Sequence, residues 1–493
     1  MMPMALLASL SLVFLVLQQM APRIGRHELT FLGFSIAFLA LLLNGPEIAW
    51  LGAFLVLNYG WLIVSARQYR LLSPVVLILP VVLTFAVFKK YELLPFQPLY
   101  AHIPDLLGLS YIIFRVIMMQ VEARGKGTLP RIVPYLTFCL SMFTFLSGPV
   151  QGYRAFNEDM ERRRTFILDE EGAAQALTRF MNGVIKLIYF APCAQNVQGY
   201  FMWAQQNVSV VVIRMEMALT LHSPLEFLGA LGPPVGFGLA ALCYLVFLYF
   251  NFSGYTDMMI GLGRLLGFHL PENFDRPFAA TSFLDFWKRW HISLSLWFRD
   301  YCFTPVLKRM VKAGIKDPVL AALPAYFISF GLLGLWHGRT WPFILCGLMF
   351  AAGSVANHFY RSLLNQRVET TALERLDGNR LYRVFATSLT LFYISLAITG
   401  LWLPDATFTT VWHSFSVLQG AGAFTLIVFC LTCILYLGWG PWHAKRIQEM
   451  VIRPVRYFFD SEASSIIAAK IFLAIIWVYL FSANIPDFVY QRF

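Results

Sequence analysis

Apolar runs long enough to cross or enter a bilayer recur along almost the whole chain, and each is continuous rather than alternating. They lie near 4–20, 30–43, 48–65, 71–88, 103–121, 132–150, 180–195, 224–252, 318–336, 341–360, 382–403, 412–439 and 466–482. A spanning helix needs about 20 apolar residues, and shorter runs suit half-membrane segments. Strands of a membrane barrel alternate apolar and polar residues, so these runs argue against one. Composition agrees: of 493 residues, 58% are hydrophobic and 13% charged, against about 25% charged in a soluble domain. Hydrocarbon offers no hydrogen-bond partner, so each backbone amide must pair inside its own segment. The chain is therefore expected to be an all-α polytopic membrane protein, with about ten to twelve transmembrane and re-entrant helices.

The net charge of +11 sits in short clusters between apolar runs, such as Arg162-Arg163-Arg164 and Lys445-Arg446. That is the pattern of cytoplasmic loops and not of a nucleic-acid surface. The first run has no Lys or Arg before it and has Arg23 and Arg26 after it, which predicts a retained helix with its N-terminus outside. Strict alternation of the runs puts Lys89-Lys90 outside, against the charge rule. Either the 30–43 run fails to cross, or those lysines are exceptions. Residues 151–176 and 361–380 are rich in charge and read as aqueous. Cys430 and Cys433 have the spacing of a metal or redox pair, but they lie inside an apolar run with no second pair, so they read as small buried side chains. No internal repeat is visible.

Charge, histidine and aromatic rings concentrate between Tyr249 and Gly338. Ionisable groups are costly near a bilayer, so such a cluster marks a functional site. Taken as one helix, 283–297 places Phe283, Trp287, Trp290, Leu294 and Trp297 on a single apolar stripe, with Lys288, His291 and Ser295 in the adjacent row. Two readings fit: a site-bearing interfacial helix, or a lipid-anchored surface helix with His291 as a polar edge residue. His337 ends an apolar run between Gly334 and Gly338, glycines that permit close backbone approach and make room for a substrate. A neutral imidazole there suits a general base. Asp257 closes an expected turn, Phe252-Ser-Gly-Tyr-Thr-Asp257, where it orients a histidine, pairs with Arg264 or Lys288, or caps a helix. Gly261 and Gly263 lack the context of a nucleotide loop and read as small residues at a close helix contact. No serine-hydrolase elbow and no zinc-protease motif is present.

Together these residues carry a family resemblance. Asn251-Phe-Ser-Gly-Tyr-Thr-Asp257, Gly261-Leu-Gly-Arg-Leu-Leu-Gly-Phe268, Pro271-Glu-Asn-Phe274, Phe286-Trp-Lys-Arg-Trp-His-Ile-Ser-Leu-Ser295, Arg299-Asp-Tyr301 and Gly334-Leu-Trp-His-Gly338 resemble the membrane-bound O-acyltransferases. The similar branch is the bacterial one that holds alginate O-acetylation and teichoic-acid D-alanyl transfer proteins. Weaker echoes at Gly108–Phe114, Ser147-Gly-Pro149 and Arg179–Lys186 keep the expected order, so the resemblance covers about residues 100–360. It implies a catalytic core at 101–360, which the apolar runs and charge flank with N-terminal membrane helices at 1–100, an aqueous loop at 361–380 and C-terminal membrane helices at 381–493. It also implies a ring of helices around a central funnel, entered by an acyl donor from the cytoplasm and by the acceptor hydroxyl from outside.

Carried over residue by residue, His337 matches the catalytic histidine and His291 the second motif position, with a positioning or assisting role. Asp257, Trp290, Ser295, Trp336, Arg339 and Lys288 are the expected substrate-binding or orienting residues. The implied co-substrate is an acyl thioester, acetyl-CoA or an acyl carrier protein, with no bound cofactor and no metal. The implied partners are an exported polysaccharide or a periplasmic acetyltransferase, the lipid bilayer and a polysaccharide synthase complex, but no nucleic acid. The implied location is the bacterial inner membrane. Two departures stand out: Arg339-Thr340 replace the usual Ala-Asn after Trp-His-Gly, and Phe350 stands where the branch often has a further histidine. The expected activity is acyl transfer, acetyl first, with D-alanyl transfer as the nearest alternative. A transporter, a flippase or an export-complex scaffold is the alternative of a different class.

Overall fold

A computed structural model describes residues 2–25, 27–66, 74–91, 100, 102–126, 129–206, 233–367, 379–403, 453–463 and 465–472. The principal helices are α1 Met2–Met20, α2 Glu28–Leu42, α3 Gly45–Ala66, α4 Pro74–Phe88, α5 Leu109–Lys126 and α6 Ile132–Cys139. They continue as α7 Tyr153–Arg162, α8 Glu170–Ile185, α9 Ala191–Gln206 and α10 Pro233–Leu265. The remainder are α11 Phe283–Arg289, α12 Ile292–Phe298, α13 Thr304–Lys312, α14 Pro318–His337, α15 Trp341–Arg367, α16 Arg380–Ala397 and α17 Arg453–Asp460. Among the described residues there is no strand, only one isolated antiparallel bridge between Phe274 and Trp290.

Among the described residues, five helices are long and apolar enough to cross a membrane: Gly45–Ala66, Phe237–Leu265, Pro318–His337, Trp341–Arg367 and Arg380–Leu401. Leu6–Met20, Glu28–Leu42 and Val76–Phe88 are shorter apolar helices. This is a polytopic helical membrane protein, with fewer clean spans among the described residues than the apolar runs suggested. The 132–150 run stays helical only to Cys139, and the 180–195 run is helical throughout, passing through a π-helical segment at Lys186–Phe190. The 412–439 run, Cys430, Cys433 and the 466–482 run beyond 472 lie outside the described residues. So does 368–378 of the expected aqueous loop, whose first part is instead the end of α15, as far as Arg367.

Packing divides the chain into two units. One comprises residues 1–185, 252–272 and 461–493. Its core surrounds Arg163, a fully buried residue of the stretch expected to be aqueous. The guanidinium lies 4.8–5.2 Å from the ring centres of Phe14, Phe31 and Phe268. It donates to the carbonyls of Leu266 (3.1 Å) and Gly25 (3.2 Å). Neighbouring Glu161 and Arg164 do face solvent, so only one side of this stretch is aqueous. The buried segment after α6 is organised by Arg115, 4% exposed, which donates to the carbonyls of Cys139 (2.5 Å) and Thr144.

The expected turn at Phe252–Asp257 is absent, because α10 runs through it to Leu265. No Pro interrupts it, and its glycines serve contact rather than reversal. A Cβ on Gly261 would lie 2.7 Å from the Ala176 carbonyl oxygen, and one on Gly183 would lie 2.5 Å from that of Gly254. The small-residue contact read from the sequence is thus the seam between α8 and this part of α10.

The second unit comprises residues 186–251 and 273–460. Its centre is the α14–α15 hairpin. Asp317 caps α14, accepting from the Leu320 N–H at 2.8 Å, and Pro318 occupies the first turn. At the other end Gly334 and Gly347 meet back to back. A Cβ on Gly347 would lie 2.3 Å from the Phe330 carbonyl oxygen, and one on Gly334 would lie 2.4 Å from that of Phe343. Backbone cannot yield as a side chain can, so Gly347→Leu should cost at least the about 1–3 kcal/mol of overpacking. Its melting midpoint in detergent should fall well below wild type. Gly331→Ala, with open space around it, should leave the midpoint unchanged or slightly raised.

Candidate active site

The segment expected as one helix at 283–297 is two short helices with a break at Trp290-His291. Ser282 caps α11 by accepting from the Asp285 N–H (3.2 Å), and Arg289 pairs with Asp285 at 3.0 Å. Trp290 is then extended and His291 turns left-handed, with φ 44° and ψ 50°. That conformation costs an ordinary L-residue roughly 1 kcal/mol and is held only where its surroundings impose it. No Gly or Pro marks the break, so the helical pattern gave no warning of it. Most of the stripe is packed inside the protein: Phe283, Trp290, Leu294 and Trp297 are buried and Trp287 is half-buried.

His291 is 2% exposed and His337 is 6% exposed. Burial pushes the His291 imidazole well below its ordinary range, and the nearness of His337 lowers it further. The two histidines, far apart along the chain, are thus brought into electrostatic reach of each other inside one unit. Trp336 stacks edge-on to His337 at 4.7 Å, is itself buried, and shares the final turn of α14.

A cavity of about 420 Å³ lies in the same unit; neither histidine lines it, but residues near each along the chain do. Its wall is largely apolar, with Trp287, Lys288, Ser295, Tyr326, Ser329 and Leu333 among its residues. Tyr326, Phe330, Leu333 and His337 fall at spacings of four, three and four, so His337 lies one turn beyond Leu333 on the cavity-facing side of α14. Ile292, next to His291, also lines it. Lys288 is an exposed ammonium on this wall, and the Ser295 hydroxyl donates to the Trp290 carbonyl at 3.2 Å.

The other expected residues are placed as follows. Trp290, 6% exposed, stacks on Phe286 at 5.3 Å and meets Phe274 edge-on at 5.1 Å. Arg339 is exposed in the link between α14 and α15. Asp257 belongs to the other unit and pairs with Arg179 (2.6 Å); Arg179 also reaches Glu272 at 2.5 Å. Gly334 and Gly338 make room for Phe343 and α15 rather than for a ligand, since a Cβ on Gly338 would lie 2.1 Å from the Phe343 ring. Phe350, at the departure from the branch pattern, fills an aromatic cluster with Trp287 (5.0 Å) and Phe330 (6.0 Å). Its ring therefore supports the Trp287 wall of the cavity. Residues to which no role was given, Asn273, Ser293, Tyr326 and Ser329, also belong to this neighbourhood; only the Pro-Glu-Asn-Phe motif signalled Asn273. Among the described residues, no three His, Cys, Asp or Glu side chains come together as a metal site.

The model of the membrane-bound O-acyltransferase (MBOAT) family matches residues 54–399. The chain belongs to that family. A teichoic acid D-alanyltransferase of Bacillus subtilis (strain 168) is 31% identical over 292 residues, 58% of this chain and 66% of that protein. The teichoic acid D-alanyltransferase of Lacticaseibacillus rhamnosus is 32% identical over 331 residues, 64% of this chain and 76% of that protein. A probable alginate O-acetylase of Azotobacter vinelandii is 31% identical over 264 residues, 53% of this chain and 46% of that protein. The chain thus spans just under two thirds of the Bacillus relative and under half of the Azotobacter one. The family match takes in α14, α15 and both histidines, and it extends beyond the 100–360 stretch of the motifs.

The depressed His291 titration makes a prediction about stability. Its folded pKa lies below the unfolded value of about 6.5, so below that pH the unfolded chain binds a proton that the folded chain does not. Stability from this group is complete above about pH 6.5 and falls as pH drops, by at most about 1.4 kcal/mol per pH unit until the folded pKa is reached. His291→Asn, a residue that tolerates the left-handed conformation, should flatten this part of the melting midpoint's fall between about pH 6.5 and 5. An unchanged slope would show that His291 protonates freely in the folded protein.

Proposed function

We propose that this protein moves an acyl group, acetyl in the first instance, from a cytoplasmic thioester to a hydroxyl of an exported polysaccharide or of a periplasmic relay protein. The observation that carries the reading is the burial of His291 and His337 within electrostatic reach of each other, in a chain of the O-acyltransferase family. The location is the bacterial inner membrane. The ring of about ten to twelve helices around a funnel, which the resemblance implies, gives the two substrates access from opposite sides.

His337 acts as general base. It takes the proton of the acceptor hydroxyl as that oxygen attacks the thioester carbonyl. The tetrahedral intermediate collapses to an ester and a thiolate, and the imidazolium returns its proton to the thiolate. A thiol of pKa about 8.5 leaves with little assistance. His291 stays neutral and supplies a ring N–H to the carbonyl oxygen as negative charge develops there. The donor's acyl end occupies the cavity, with Lys288 and Ser295 at its wall and Arg339 toward an anionic part of the donor, acetyl-CoA or an acyl carrier protein. Trp290 and Trp336 stiffen the two histidine segments. Asp257, held by Arg179, orients its own region of the core. A periplasmic acetyltransferase or a polysaccharide synthase complex is the accompanying machinery.

The relatives named as teichoic acid D-alanyltransferases support a second reading, in which D-alanine is the acyl group and teichoic acid the acceptor. The histidine chemistry is the same. Positioned general-base catalysis is worth about 10²–10⁴-fold. His337→Ala, matched to wild type for membrane level, should therefore lose nearly all ester-linked acyl groups on cell-surface polymer. Mild-base release and mass spectrometry identify the group: loss of acetate supports the first reading and loss of D-alanine the second. Unchanged acylation, where deleting the gene abolishes it, would sink His337 as the base.

A further inference from the structure

Asn273 is fully buried, and the reaction outlined above does not use it. Its backbone carbonyl accepts the N–H of Ile292 at 3.0 Å. Its side-chain Oδ1 accepts both the N–H of Ser293 (3.3 Å) and the Ser293 hydroxyl (2.5 Å). The two oxygens of one residue thus take the first two peptide N–H groups after His291. On the preceding side, the Asp275 N–H donates to the Arg289 carbonyl at 3.0 Å, and Phe274 pairs antiparallel with Trp290. Residues 273–275 form a short extended splint along 289–293. Within that paired stretch His291 is the left-handed residue.

The chemistry asks for asparagine. Its carbonyl oxygen has two lone pairs and can serve two donors at once, while the amide carries no charge into a buried place. An apolar side chain would leave the Ser293 N–H and hydroxyl without this acceptor. Aspartate would keep the oxygen and add a buried charge.

We propose that Asn273 is the positioning residue that holds His291 in its left-handed conformation and thereby aims the imidazole beside His337. The inference rests on the reading of His291 as a member of the reacting pair. Asn273 itself touches no substrate and acts through His291.

The test uses the full chain in membranes and reads the rate at which total ester-linked acyl accumulates on surface polymer after induction, per molecule of protein. Asn273→Ala should slow this rate by about 10–100-fold, the scale of a misplaced reacting group. Ser293→Ala should slow it by a smaller factor, and Ser293→Thr, which keeps the hydroxyl, should recover the wild-type rate. In a His291→Ala background, Asn273→Ala should cost nothing further. A rate within twofold of wild type for Asn273→Ala, an equal further loss in the His291→Ala background, or a Ser293→Thr rate as poor as that of Ser293→Ala would each overturn the proposal. If Asn273→Ala fails to accumulate, the Ser293 pair decides by the same criteria. Full activity in His291→Ala alone would refute the reading of His291, a result distinct from loss in His291→Ala with Asn273→Ala intact.

Discussion

A polar backbone group sealed away from water must find a partner, and that requirement governs this molecule wherever a helix stops. Inside a helix the need is met locally. Each buried break instead recruits a specific side chain or a short pairing, because an unsatisfied group costs about 1–3 kcal/mol. After α6 the free carbonyls of Cys139 and Thr144 are gathered by Arg115. Around Leu266, where α10 has ended, Arg163 takes the carbonyl. Between α11 and α12 the splint at 273–275 takes the amides and carbonyls that the break exposes. Irregular backbone in a membrane protein is tolerated where protein surrounds it, and these are the devices that make it so.

The candidate site follows from one of those breaks. A continuous helix through 283–297 would carry His291 on a row beside the aromatic stripe. The left-handed turn removes it from that row and buries it near His337. The α14–α15 hairpin supplies the other half. Because Gly334, Gly338 and Gly347 admit backbone and ring where a Cβ would collide, α14 ends flush against α15 with His337 in its last turn. The cavity then lies along the face of α14 that leads to His337, walled by rings that Phe350 backs up.

Much of this was legible in the residues. The apolar runs imposed helices and a membrane, and the seam at Gly261 was readable from small residues in an otherwise bulky helix. His337 was singled out by position alone, a histidine between glycines after an apolar run. Other features were hidden because they depend on distant partners. Arg163 sits between two arginines in a charged stretch, and only three phenylalanine rings from elsewhere in the chain explain its burial. Asp257 had three local candidates for its role, and it is matched by Arg179, 78 positions earlier.

Local chemistry by itself determined that the chain is helical and membrane-bound, and the order of its motifs carried the resemblance to the acyltransferase family that the match over residues 54–399 bears out. Those are properties of composition, period and order along the chain. Tertiary structure alone decided that Trp290-His291 breaks a helix, that His291 and His337 share one buried neighbourhood, and that Asn273 bridges to Ser293. The physical reason is that helical spacing describes a segment's own preference. A left-handed histidine costs energy locally and is held by hydrogen bonds from residues that come together only on folding.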